Sequence, residues 1–180
     1  MKRASFALCT VLFAAVAAAS LYAQMGPPTP AAELKKLDFL AGDWNSEGTV
    51  NPGPGMPNGG KFSSSDHTEW MEGDFFLISH GSFDFGGMAK GKELAIFGYD
   101  SDRKVYTYTA FNSVGEAEVS TGTVDGDTWT WLSNEHFGPT TMKGRFTMKV
   151  LSPTSYSMKF ELSPDGTKWN TAMEGKATKK

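Results

Sequence analysis

Apolar and polar residues alternate with period two along most of this chain, and the alternation is cleanest near its end. Phe146, Met148 and Val150 interleave with Arg145, Thr147 and Lys149; Tyr156, Met158, Phe160 and Leu162 interleave with Ser157, Lys159 and Glu161; Trp169, Thr171 and Met173 interleave with Lys168, Asn170 and Glu174. Successive side chains of an extended strand point to opposite faces, so each run predicts a strand with one wet and one buried face. Further runs rich in Thr, Val, Tyr, Phe and Trp occupy 44–50, 62–71, 75–83, 93–99, 104–112, 116–123 and 128–132. With 142–151, 155–162 and 168–175 they predict about ten strands.

Short turn sequences separate many of these runs: Asp100-Ser101-Asp102, Asn112-Ser113-Val114-Gly115, Asp125-Gly126, Ser152-Pro153-Thr154 and Pro164-Asp165-Gly166. Turns this tight join antiparallel neighbours. A longer stretch, 51–60, is dominated by Gly and Pro and reads as a loop, either a lid or plain surface. Before the first strand, 31–40 carries helix formers with Leu34, Leu37 and Phe39-Leu40 placed for an apolar stripe on one side, and predicts one short helix ended by Gly42.

A long antiparallel meander accumulates twist and leaves two edges open to aggregation, and closure removes both problems. The expected fold is therefore all-β, a closed antiparallel up-and-down barrel of lipocalin-like form preceded by the short helix, with a sandwich as the alternative. A barrel of this size holds either packed side chains or one small ligand.

The N-terminus changes where the protein is expected to work. Met1-Lys2-Arg3 is basic, 4–19 is almost wholly apolar, and small residues follow, which predicts a cleaved signal peptide over 1–23 with Ala19, Ser20 and Ala23 as candidate cut sites. The expected localisation is periplasmic or extracellular, without stable membrane insertion after cleavage. Residues 24–30 hold three prolines and read as a leader, 31–177 as a single domain, and 178–180 as a basic tail. The single cysteine, Cys9, falls inside the expected signal, which leaves the mature domain without disulfides, thiol chemistry or thiolate metal sites. Formal net charge is −3, and loss of Lys2 and Arg3 makes the domain more acidic still, so nucleic acid is not an expected partner. Oligomeric state is not legible.

The segment from Leu37 to Trp44 (Leu-Asp-Phe-Leu-Ala-Gly-Asp-Trp) resembles the opening of lipocalin-like and nitrobindin-like barrels. Together with Gly98-Tyr99-Asp100, the Tyr-rich Lys104-Val105-Tyr106-Thr107-Tyr108, the stretch 121–129 and the ending 168–175, the domain resembles bacterial domain-of-unknown-function family 1579. That resemblance implies a lipocalin-like barrel and no established reaction. Nitrobindin-type barrels hold haem through a histidine near the C-terminal end of the chain, and here no histidine follows His136.

Candidate chemistry is sparse. His67, His80 and His136 match no local metal motif. His67 shares a strand face with Glu69 as a metal or base pair, or as a plain surface pair. His80 has the parity of Phe76 and Ile78 and is the expected polar anchor if those residues face the lumen; otherwise it is a structural histidine. No nucleophile elbow, phosphate loop or complete calcium loop occurs, so no catalytic or metal residue is assigned. The aromatic and Met residues Trp44, Trp129, Trp131, Phe146, Met148, Met158, Phe160, Trp169 and Met173 are expected to face inward, with Tyr106 and Tyr108 as further anchors. They either wall a site for a small apolar or amphipathic ligand or simply fill the core. The expected function is an exported, non-enzymatic ligand-binding barrel; the alternatives are a calycin-like enzyme, a haem or metal barrel using His67 or His80, and a packed interaction domain.

Overall fold

A computed structural model describes residues 28–54, 57–87 and 89–180 of the protein. The expected signal peptide and most of the leader lie outside the described residues. Ala31–Lys180 is one compact unit. Its strands are β1 (Gly42–Val50), β2 (Gly60–Trp70), β3 (Leu77–Asp84), β4 (Lys90–Asp100), β5 (Val105–Asn112), β6 (Ala117–Asp125), β7 (Thr128–Phe137), β8 (Thr140–Ser152), β9 (Ser155–Ser163) and β10 (Asn170–Lys179). Each pairs antiparallel with its sequence neighbour, and β1 pairs with β10 to close the barrel.

The expected helix forms as a nine-residue 3-10 helix, Ala32–Leu40. Its apolar residues explain the tighter winding. Leu34, Leu37 and Leu40 recur every three residues, the period at which 3-10 side chains eclipse, and all three are buried. Such a long 3-10 run is not stable alone, and side chains of the barrel hold it. The Trp44 indole donates to Leu40 O at 2.8 Å, the Trp70 indole to Asp38 Oδ1 at 3.0 Å, and the Tyr106 hydroxyl to Glu33 O at 3.0 Å. The helix thereby stoppers one end of the barrel, with Leu34, Leu37 and Leu40 packed on Leu77, Tyr106, Trp129, Trp131 and Met148.

At this stoppered end the core is dense. The rings of Trp129 and Trp131 stack 11° from parallel with centroids 6.1 Å apart, because residues two apart share a strand face. Tyr106 meets Trp129 edge-on at 4.7 Å. The Trp131 ring needs the missing side chain of Gly122 opposite it, where a Cβ would lie 2.5 Å from Cε3.

Two boundaries depart from the sequence reading. The basic 178–180 segment is not a free tail: Lys179 pairs with Trp44, and the Lys180 amide donates to Asp43 O. Closure itself supplies these partners, which no local pattern announces. Strand β7 runs on to Phe137, five residues past the expected stop at Leu132, because Ser133–Phe137 finds a partner in the longer β8.

Candidate functional site in the barrel lumen

The register decides which side chains face inward. Starting from the buried Trp44, the ladder carries the inner face through Asp66, Gly81 and Glu93 on β2, β3 and β4, then through Asn112 on β5. It continues through Tyr108 opposite Ser120, Ala110 opposite Glu118, Trp131 opposite Phe146, and Phe160 opposite Met173.

Along this inner face the two halves of the barrel differ. Toward the helix, Trp44, Leu77, Tyr106, Trp129, Trp131 and Met148 are all 4% exposed or less. Toward the other end, Val50, Phe62 and Leu162 are buried, but Phe146, Phe160, Met173, Tyr108, Glu93 and Glu135 are only partly buried and Glu118 is exposed, although each points into a closed barrel. Accessible surface on this inner wall marks looser filling than at the helix end. The lumen is plugged at the helix end, and toward the other end, its open half, the inner wall keeps accessible surface mainly on β4 to β8.

The sequence-predicted residues divide accordingly. Phe146, Phe160 and Met173 stand side by side across β8, β9 and β10, with Phe146 and Met173 packed against the cluster that holds the buried Met158, while Tyr108 packs beside Phe97 and Trp131. Tyr106, Trp129, Trp131 and Met148 form the packed floor, with Trp44 buried in a neighbouring cluster beside Val50, Phe62 and Met158, and the Tyr106 hydroxyl is already committed to the helix.

His80 and Trp169 do not face the lumen. His80 lies opposite His67 and Leu94 on the outer wall and is exposed, because Ile78, whose parity it shares, also points outward. Trp169 shares the outward parity of Thr171, and the strand shifts register between Thr171 and Met173, so that only Met173 turns inward. Trp169 instead carries the Arg145 guanidinium 4.1 Å above its ring on the outside. His67 is an exposed surface residue, its Nδ1 2.9 Å from Asp43 Oδ1 and its Nε2 3.9 Å from Glu69 Oε2. The Asp43 hydrogen bond is the main cause of its raised pKa.

What the sequence reading missed is the polar lining of the open half. Asp66, Glu93, Glu118 and Glu135 all point inward. Burial raises the Glu93 carboxyl, and it pushes Glu118 up to about 7 with help from the charges of Glu135 and Glu93. Neutral donors serve the others: Ser64 donates to Asp66 at 2.9 Å, Tyr108 to Glu93 at 3.3 Å, and Ser133 to Glu135. The signal was available in β4, where Glu93, Ala95, Phe97 and Tyr99 share one parity, but the competing Leu94 and Ile96 look more like a buried face. Among the described residues, no group of three or more His, Cys, Asp or Glu side chains could hold a metal ion.

A closed ten-strand antiparallel barrel stoppered by an N-terminal helix has the architecture of a lipocalin-like barrel. Residues 29–179 match the family described as "Protein of unknown function (DUF1579)", and the chain belongs to that family. It is also similar to the crystal structure of Rv2717c from M. tuberculosis, with 15% sequence identity and a TM-score of 0.56 over 84% of this chain and 99% of that one. At this identity the likeness concerns the fold. No curated protein matches the chain.

Proposed function

We propose that this protein is an exported, non-enzymatic barrel that binds one small amphipathic molecule in the open half of its lumen. The observation that carries this reading is the accessible surface retained by inward-facing Tyr108, Phe146, Phe160 and Met173, above a floor that is packed shut. Tyr108 and Phe146 pack on the core along one side and keep accessible surface on the other, which a barrel meant only as a structural domain has little reason to leave, since full burial of each contributes a few kcal/mol. Export rests on the basic, apolar and small-residue succession of the first 23 residues.

The test is native mass spectrometry on protein secreted from its own host and purified without detergent, with an absorption spectrum recorded alongside. A small molecule released on denaturation supports a carrier. A Soret band would replace this reading with a haem protein. A bare polypeptide that also stays bare after incubation with a panel of amphiphiles would overturn it.

A further inference from the structure

Four carboxylates line the lumen, and none of them appears in an ion pair among the described residues. The described inner face has one cation, Lys179. It sits at the stoppered end, where its ammonium bonds Phe39 O at 3.4 Å and lies 5.3 Å from the centre of the Trp44 ring. The open half is therefore acidic without compensation. Uncompensated carboxylates in a confined space are costly to the protein.

A second feature lies within the same wall. Ser120 is 3% exposed and inward-facing, two residues from Glu118 on the same strand face, and its hydroxyl has no hydrogen-bond partner of full geometry. A buried hydroxyl left unspent costs about 1–3 kcal/mol. Its nearest use is as a donor to an ionised Glu118, whose pKa such a bond lowers.

We propose that the ligand is an amphipathic organic cation, an ammonium or amidinium head held among Glu93, Glu118 and Glu135 with its apolar body against Phe146, Phe160 and Met173. This rests on the lumen being a ligand site, as argued above. A positive head supplies the missing counter-charge to three carboxylates on β4, β6 and β7 and leaves Glu118 ionised to accept from Ser120. The same carboxylates repel fatty acids and other anions. A bare metal ion fits poorly, because the four carboxylates form no group able to hold one.

The groups facing Glu118 define the pH response. They are Glu93 on β4, Tyr108 and Ala110 on β5, Ser120 on its own strand, Ser133 and Glu135 on β7, with Asp66 farther round on β2. Glu118 is largely protonated below about 7. A cation that does not itself titrate should bind more tightly as pH rises through that value, and an anion more weakly.

Isothermal titration of the purified protein with decyltrimethylammonium, decanoate and 1-decanol separates the outcomes. The expected result is one-to-one binding of decyltrimethylammonium at least about tenfold tighter than either other compound at pH 8, weakening at pH 5.5 and with added salt. Glu93→Gln with Glu118→Gln should lower its affinity about tenfold or more and leave 1-decanol unchanged. Glu135→Gln is the substitute if that pair does not fold. Equal or tighter binding of decanoate or 1-decanol, or cation binding indifferent to pH and to these substitutions, would overturn the cationic assignment and leave the carrier reading standing. No binding of any of the three, with a folded protein, removes both.

Discussion

Tyr108 and Ser120 stand directly opposite each other on the inner face of β5 and β6, yet they do not bond. The Tyr108 hydroxyl turns to the strand on its other side and donates to Glu93 at 3.3 Å. Burial and the negative charges of Glu93 and Glu118 raise the Tyr108 pKa well above its usual value, so it remains a donor throughout the working pH range. One side of the lumen wall is thus satisfied and the other is not, and this asymmetry lies beside the open space. Tyr108→Phe is expected to raise the Glu93 pKa further, detectable by carboxyl NMR titration, and to cost about 1 kcal/mol in stability at pH 8.

The stopper should govern stability more than the open half does. Leu37 is completely buried under the barrel floor. Leu37→Ala is expected to cost about 2–5 kcal/mol in urea unfolding, against less than about 1.5 kcal/mol for Met173→Leu at the partly filled end. Equal losses at both positions would contradict a lumen that is dense at one end only.

Trp131 belongs to the floor, which reverses what a ligand wall would predict for it. Trp131→Ala should lower stability by about 3–5 kcal/mol, and a Cβ added at Gly122 should cost about 1–3 kcal/mol by colliding with the same ring. The midpoint of denaturant unfolding reads both. Retention of full stability in Trp131→Ala would show that the ring is not packed as described.

Glu118 should make stability pH-dependent. Its folded pKa of about 7 lies above the value in an unfolded chain, so the folded state holds its proton more tightly. Stability from this group is complete below the unfolded pKa and is lost as pH rises through the folded one. Glu118→Gln should therefore match the parent protein near pH 4 and exceed it at pH 8 by about 1 kcal/mol, a figure reduced because water reaches the carboxyl. Unfolding curves across that range provide the check.

On the outer wall, Glu161 is nearly inaccessible and binds Arg145 at 2.8 Å and Lys159 at 2.9 Å, while Arg145 covers Trp169. Arg145→Ala should cost about 1–3 kcal/mol through the carboxylate it leaves short of a partner. It should also red-shift Trp169 emission, measured in a variant in which Trp70 is replaced by Phe to reduce background.

How far the sequence carries depends on the range of the forces involved. Alternation, turn residues and the three-residue spacing of Leu34, Leu37 and Leu40 are local, because strand pleat, turn geometry and helix period act over a few residues. They determined the strands, the antiparallel order and a buried face for the helix, and edge protection made closure the natural completion. Which of two comparably apolar parities faces inward is not local. Leu94 and Ile96 outweigh Glu93 and Ala95 by hydrophobicity, and only the register with β3 and β5 turned the carboxylate inside. A single bulge between Thr171 and Met173 likewise sent Trp169 outward, since one inserted residue reverses every side chain before it. The strands were therefore written in the sequence, whereas the acidic half-lumen arose only when ten of them closed on one another and brought Glu93, Glu118 and Glu135 from three strands around the same space.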